Sequence, residues 1–449
     1  METTLSAHLA RFVHGLSLAA VPADVVEKAR CCLLNGYGIG LGSLGTPYAP
    51  VARQAALAVA GERPEGATLL GDGRKTTVTG AALANSALFH GRAQEDTCGA
   101  AHMGAIMIPL LTGLIEARKL PLDRLLPSLI AGYEAGGLLE GAYAGLTTPA
   151  GLRATPLYGT LAAAAASAKL LGLSEAQTRG ALENAASFAG GTLQSFADGT
   201  DEWRYQVGVA GQIGLTATEL ARHGSVSAPL AFEGKSGFVQ AYARTACDVQ
   251  ALAGRLGKEW SVRRVTFKPF PVCAFNQTPV TAALELREKL AGRAVNAVRV
   301  RMDPYAVGYA GMDAKGPFST ISGTLMSIPF CIAATLLRGA PSMRTMTTYD
   351  DREINAFMER VDLQADPAIP SLCCVIEADL AEGGTVVQDQ RMTTADYSYD
   401  RAGVSALIRR IGGELGIPGA TYDRLEGFVE RLPAGRIQDV IGCFPTAQK

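Results

Sequence analysis

From residue 1 to about 265 one helical pattern follows another, and no other feature constrains the fold so strongly. Ala, Leu and Gly dominate this stretch. Apolar positions recur three and four residues apart, as in Val25-Val26, Ala29 and Leu33-Leu34. Ser174-Glu175-Ala176-Gln177 has the form of a capping box that opens a helix. Leu161–Leu171, with five consecutive alanines, predicts a helix packed closely on every side. Small residues let helices approach, so the Ala/Gly richness reads first as tight packing. The texture changes near residue 262. Val265-Thr266-Phe267 is short and β-prone, and Ala297–Met302 alternates like a half-buried strand. Residues 373–378 and 385–390 flank Glu382-Gly383-Gly384 as a hairpin would, with helical stretches expected over 323–337 and 351–361. Helical texture returns after Ser398, opening near Tyr399-Asp400. The expected organisation is mainly α: a large all-helical domain over 1–265, completed by 396–449, and a smaller α/β domain over 266–395.

The chain's 449 residues exceed what one hydrophobic core usually serves. With 41 basic and 42 acidic residues, nucleic-acid binding has no electrostatic support. No 18-residue apolar span suggests a membrane helix, and Met1-Glu2-Thr3-Thr4 lacks the basic start of a secretory signal, so a cytoplasmic location is expected. The nine cysteines are dispersed and form no CxxC, which argues against structural zinc or a cysteine-held cluster. Only five histidines occur, giving weak support to a metal site. Gly36–Gly42 alternates glycine with Tyr37, Ile39 and Leu41, but a helical pattern precedes it and no strand–turn–helix unit surrounds it, so a nucleotide loop is not expected. No GxSxG elbow, P-loop or HExxH is present.

Two segments carry candidate chemistry. The polar connection Gln94-Glu95-Asp96-Thr97-Cys98-Gly99-Ala100-Ala101 leads to His102 between an apolar helix ending near Phe89 and another running towards Ala117. Loops held by rigid helices commonly display reactive groups, and Asp96, Thr97 and an imidazole together can hold and protonate a substrate. A helix end capped by Asp96 and Thr97 accounts for the same residues. The second segment, Phe267-Lys268-Pro269-Phe270-Pro271-Val272-Cys273-Ala274-Phe275-Asn276-Gln277-Thr278, sets a cation, a thiol and two amides around two prolines where the two textures meet. An ordinary hinge with a solvated lysine fits these residues equally.

Several segments, in a shared order through most of the chain, resemble the MmgE/PrpD family, which includes 2-methylcitrate dehydratases, cis-aconitate decarboxylases and iminodisuccinate epimerase. They include Ala84-Asn85-Ser86-Ala87 leading to Asp96-Thr97 and His102, Gly132-Tyr133-Glu134, and residues 159–177. Further on come residues 208–220, Lys268 to Thr278, Ser327-Ile328-Pro329-Phe330 and residues 351–363. The resemblance implies a helical domain, a smaller α/β lid, a cleft between them and a homodimer. Carried over residue by residue, it matches Asp96, Thr97 and His102, with the spacing shortened by one, and Lys268. Elsewhere the chain departs from the pattern. An expected aspartate is Ala93, a histidine is Arg153, a lysine is Arg204 and a tyrosine is Phe330. Cys273 stands at a histidine-or-cysteine position, and Gln277 or Asn276 replaces a second histidine. Arginines suit bidentate carboxylate binding but cannot act as bases.

The resulting expectation is a cofactor-independent carbon–oxygen or carbon–carbon lyase, a dehydratase or decarboxylase. It would act on a small polycarboxylate by proton transfer next to a carboxylate. His102, Asp96 and Lys268 would be catalytic, and Thr97, Arg153, Arg204, Cys273 and Gln277 would bind substrate. An isomerase or epimerase of a small dicarboxylate, or a catalytically silent small-acid binding protein, are the alternatives.

Overall fold

The computed structural model describes residues 4–446. The first three residues of the N-terminus, and the last three of the C-terminal tail, lie outside the described residues. The chain divides into two compact units. The first runs to Thr192, resumes over Arg204–Phe267 and ends with the chain from Tyr399 onward. The second comprises Leu193–Trp203 and Lys268–Ser398. The short segment 193–203 thus belongs with the second unit although it interrupts the helical stretch in sequence.

The first unit is built of helices, and small residues set how closely they pack. The alanine run lies in the helix Ala154–Leu171, where every residue but Lys169 and Leu171 is buried. A Cβ at Gly136, on the neighbouring helix Leu125–Thr147, would stand 2.8 Å from Ala162 Cβ and 2.9 Å from the Tyr158 carbonyl. Only glycine permits that approach. The alternating glycines at 36–42 fall inside the helix Ala23–Gly42; a Cβ on Gly38 would meet Ile408 at 2.4 Å. The Gly-rich motif therefore packs closely on two sides, Gly36 and Gly40 against Ile108 and Phe89 and Gly38 and Gly42 against Ile408 and Ile411. Ser174 opens the helix Glu175–Phe188 through the capping box read from the sequence, its hydroxyl accepting from Gln177 N–H. Asp400 likewise caps the helix Arg401–Glu414.

The second unit carries a four-stranded mixed sheet: β1 (Val295–Met302), β2 (Val361–Ala365), β3 (Cys373–Leu380) and β4 (Thr385–Arg391), in the order β2-β1-β3-β4. β1 pairs parallel with β2 and antiparallel with β3, and β3 and β4 form the hairpin expected around Gly383-Gly384. Alternation assigns the faces. Val298, Val300, Ile376 and Ala378 are buried, while Arg299 reaches Asp379 at 2.7 Å and Glu377 at 3.0 Å on the other face.

Two sequence expectations need correction here. The helix expected over 323–337 is two helices, Ile321–Met326 and Ile328–Arg338. Ser327 interrupts them with extended backbone, caps the second through Phe330 N–H, and is followed by Pro329 in the first turn, where a missing N–H costs nothing. The expected helix over 351–361 ends at Met358, and Val361 begins β2. The segment Leu193–Trp203 is fastened within the second unit by Trp203 Nε1 donating to Ser322 Oγ at 2.9 Å and by Phe196 packing on Trp203.

Candidate active site

The polar connection of the first unit joins the helices Val78–Phe89 and Gly104–Arg118. Loops usually run over a surface, because backbone and side-chain polar groups need partners. This one does not: His90, Arg92, Gln94, Glu95 and Asp96 are each no more than 1% exposed. Burial on that scale requires the polar groups to satisfy one another.

Arg92 braces the loop from one side, donating to Gln94 Oε1 at 2.9 Å, to the Gly42 carbonyl at 3.3 Å and to Glu414 at 2.9 Å. Arg204, fully buried on the helix Trp203–Arg222, braces it from another. Its Nη1 donates to the carbonyls of His90 (2.8 Å) and Gly91 (2.6 Å), and its guanidinium lies 3.9 Å over the Tyr48 ring. Between these braces Ala93 takes φ 56°, left-handed backbone that a residue with a Cβ adopts only under constraint.

His102 follows this loop with its side chain 16% exposed. Its Nδ1 lies 3.1 Å from the Asp96 carbonyl and 3.2 Å from Glu95 Oε1, while its backbone N–H donates to Thr155 Oγ1 at 3.2 Å. The other Glu95 oxygen, Oε2, lies 3.2 Å from Nδ1 of His90. The two imidazole rings sit 5.3 Å apart, and Nη2 of Arg153 lies 2.7 Å from His90 Nε2. Arg153, immediately before the helix Ala154–Leu171, also donates to Gln206 Oε1 at 3.0 Å. A row thus runs Arg153, His90, Glu95, His102, buried except at His102.

The Asp96 side chain is held by Tyr133. Its Oδ2 accepts from the Tyr133 hydroxyl. Burial, and next the Asp96 charge, push the Tyr133 phenol well above its usual range, which keeps it protonated as the donor. A Cβ at Gly104 would lie 2.2 Å from Asp96 Oδ1, so glycine makes room for the carboxylate there. Burial also lowers Lys28, with the Asp96 charge opposing it, and Lys28 Nζ lies 4.5 Å over the Phe267 ring. Thr97 pairs with Thr266 in a two-residue bridge (Thr97–Cys98 with Val265–Thr266), and their hydroxyls are 2.7 Å apart. Neither Asp96 nor Thr97 caps the helix Gly104–Arg118, whose N-cap is Met103.

In the second unit Lys268 is 4% exposed, so it is not a solvated hinge lysine. Gln277 holds the loop before it: its amide donates to the carbonyls of Phe270 (3.1 Å) and Val272 (3.0 Å) and accepts from Phe270 N–H (3.1 Å). Asn276 donates to the carbonyls of Leu325 and Met326, both at 2.9 Å. Cys273 is half-buried, with its N–H on the Leu325 carbonyl. Phe330, where a tyrosine was expected, is fully buried and meets Phe318 edge-on.

The first unit therefore brings His102, Asp96, Thr97, Arg153 and Arg204 around one buried loop. It adds Glu95, His90 and Tyr133, which sequence reasoning did not select. The signal available for them was an almost unbroken polar run from His90 to Thr97 between two apolar helices. Among the described residues, no cluster of three or more His, Cys, Asp or Glu side chains could hold a metal ion. No helix of the described residues is long and apolar enough to cross a membrane.

The chain is mainly α, with a small mixed sheet in its second unit. The MmgE/PrpD N-terminal domain matches residues 7–248 and the MmgE/PrpD C-terminal domain residues 270–402. The chain belongs to the MmgE/PrpD family. It is 32% identical over 284 residues to the cis-aconitate decarboxylase-like protein oryM of Aspergillus oryzae, a match covering 60% of this chain and 58% of that one. It is 25% identical over 375 residues to the cis-aconitate decarboxylase of Aspergillus terreus, covering 78% and 75%. The cis-aconitate decarboxylase of Homo sapiens is 27% identical over 299 residues, covering 65% and 61%.

Proposed function

We propose that this chain is a cofactor-independent lyase that removes carbon dioxide or water from a small polycarboxylate. The observation that carries the reading is the His102 ring, partly exposed and held at Nδ1 by Glu95 and the Asp96 carbonyl. An imidazole anchored at one nitrogen presents the other for proton transfer, and its ordinary titration lies near neutrality. Family membership and the names of the relatives support a polycarboxylate substrate.

In the decarboxylating version, the carbon–carboxylate bond breaks, carbon dioxide leaves and the electron pair delocalises onto a neighbouring carboxylate. The His102 imidazolium then delivers its proton to carbon. In the dehydrating version, His102 takes the proton next to the carboxylate and hydroxide leaves from the adjacent carbon. Within the first unit Arg153 supplies positive charge for a substrate carboxylate, and Asp96, Thr97 and Arg204 shape the loop that carries His102, Arg204 through the carbonyls of His90 and Gly91. The protein is further proposed to act as a homodimer in the cytoplasm, which gel filtration with light scattering and cell fractionation test.

The experiment is a panel of small di- and tricarboxylates, including cis-aconitate and 2-methylcitrate, followed by proton NMR. Turnover of at least one acid is expected, and His102→Ala should slow it by about 100-fold or more. Deuterium entering recovered starting acid without loss of carbon dioxide or water would move the reading to an epimerase. Binding without any product would make it a silent binding protein.

A further inference from the structure

We propose that Glu95 is the positioning residue of this site, its carboxylate fixing two imidazoles at once so that His102 presents Nε2 as its reactive nitrogen. The proposal rests on the reading of His102 as the proton-transfer group. A guanidinium only donates, so with Arg153 Nη2 2.7 Å away, His90 Nε2 must accept. A ring that accepts at Nε2 is neutral and carries its proton on Nδ1, the atom 3.2 Å from Glu95 Oε2. At His102, Nδ1 faces two groups that only accept, Glu95 Oε1 at 3.2 Å and the Asp96 carbonyl at 3.1 Å. The proton of neutral His102 therefore also sits on Nδ1, and the lone pair on Nε2.

Glu95 lies between the two rings, one carboxylate oxygen 3.2 Å from each Nδ1, and it is 1% exposed. A charge so buried persists only with compensation. The two Nδ1–H groups, each 3.2 Å from a Glu95 oxygen, contribute to it, and Arg153 supplies a full positive charge one ring further along. Neutral His90 is the spacer that keeps the guanidinium and the carboxylate apart while touching both. When His102 takes a proton during turnover, the carboxylate beside Nδ1 stabilises the imidazolium, as the buried carboxylate of a serine-protease triad does. Glutamine cannot replace Glu95 in this role, because its single carbonyl oxygen serves one ring and its NH2 opposes the Nδ1–H of the other.

The test uses the full chain labelled with 15N-histidine in mildly alkaline solution. Nitrogen shifts and long-range 1H–15N couplings report which nitrogen carries each proton. Signals of His8, His14 and His223 are removed one at a time by replacement with glutamine. The two remaining rings are both expected to be protonated on Nδ1, the minor form of a free histidine side chain. Either ring bare at Nδ1 overturns the proposal, whatever the activity. In the second arm, Glu95→Gln is expected to lower kcat by about 100-fold with KM within about three-fold, and Glu95→Asp to keep more of kcat than Glu95→Gln does. Unchanged kcat, or a raised KM with kcat intact, overturns it. If no polycarboxylate is turned over, the lyase reading fails, and the ring protonation still decides the role of Glu95.

Discussion

Two loops carry the candidate chemistry, and they use similar residue types in opposite ways. Around the loop after Phe89, ionisable side chains face one another: Arg153, His90, Glu95 and His102 form a row whose neighbouring polar atoms lie 2.7–3.2 Å apart. In the loop after Phe267, the amides of Gln277 and Asn276 face backbone instead, closing the Pro269–Cys273 turn and fastening it to the Leu325 and Met326 carbonyls. The first arrangement couples protons and charge. The second fixes a shape. An amide is neutral and holds a donor and an acceptor together, which suits it to carbonyls and N–H groups, whereas a carboxylate between two imidazoles can respond to protonation.

The largest effect that can break this contrast comes from Arg153→Met. It removes the donor to both His90 Nε2 and Gln206 Oε1 and leaves the Glu95 charge without its nearest cation along the row. A loss of about 3 kcal/mol in stability is expected from urea unfolding, together with a fall in turnover. A variant as stable and as active as the parent would mean the row is not coupled. Gln277→Ala is next. Four hydrogen bonds disappear, with an expected loss of about 2 kcal/mol, while KM for the turned-over acid changes less than about three-fold. A KM that rises much further with stability unchanged would make Gln277 a direct substrate ligand.

Glu134 sharpens the comparison because it is a buried carboxylate that serves backbone, its oxygens accepting from Ser261 N–H at 2.8 Å and Val262 N–H at 3.0 Å. Burial pushes it up to about 7 even though those N–H groups favour the charge. The folded protein therefore holds this proton more tightly than the unfolded chain, and the contribution present below the ordinary value of 4.5 is lost as pH rises through about 7. Melting temperature should fall between those limits by a few degrees, and Glu134→Gln should flatten that slope while costing about 1 kcal/mol for the N–H left without an acceptor. An unchanged slope in the variant would assign the pH dependence to other groups.

Much of the fold was legible because its signals are local. Ser174 and Asp400 announced their helices, alternation announced β1, and Glu382-Gly383-Gly384 announced the β3–β4 hairpin. The helix break at Ser327 was carried by Ser-x-Pro but hidden inside a long apolar run. β2 was hidden because Val361–Ala365 continues the polar–apolar pattern of the helix before it. Of the site, His102 and Asp96 stood out through their loop. Glu95 and His90 did not, since their importance comes from a chain reversal that sets residues 90, 95 and 102 side by side and brings Arg153 from another helix. Spacing along a sequence does not display that. Arg204 was read as a substrate ligand from its charge alone, whereas its Nη1 holds the two carbonyls at the start of the loop.

The account turns on proton transfer through His102, and the most direct measurement is turnover in deuterium oxide of whichever polycarboxylate the panel identifies, followed by mass spectrometry and NMR of the product. For a decarboxylation, one solvent deuterium is expected on the carbon next to the remaining carboxylate; for a dehydration run towards hydration, it is expected on the carbon that receives the proton. In both cases His102→Ala should make that incorporation slower by about 100-fold or more. Incorporation at the parent rate in His102→Ala, with the protein folded, would contradict the account.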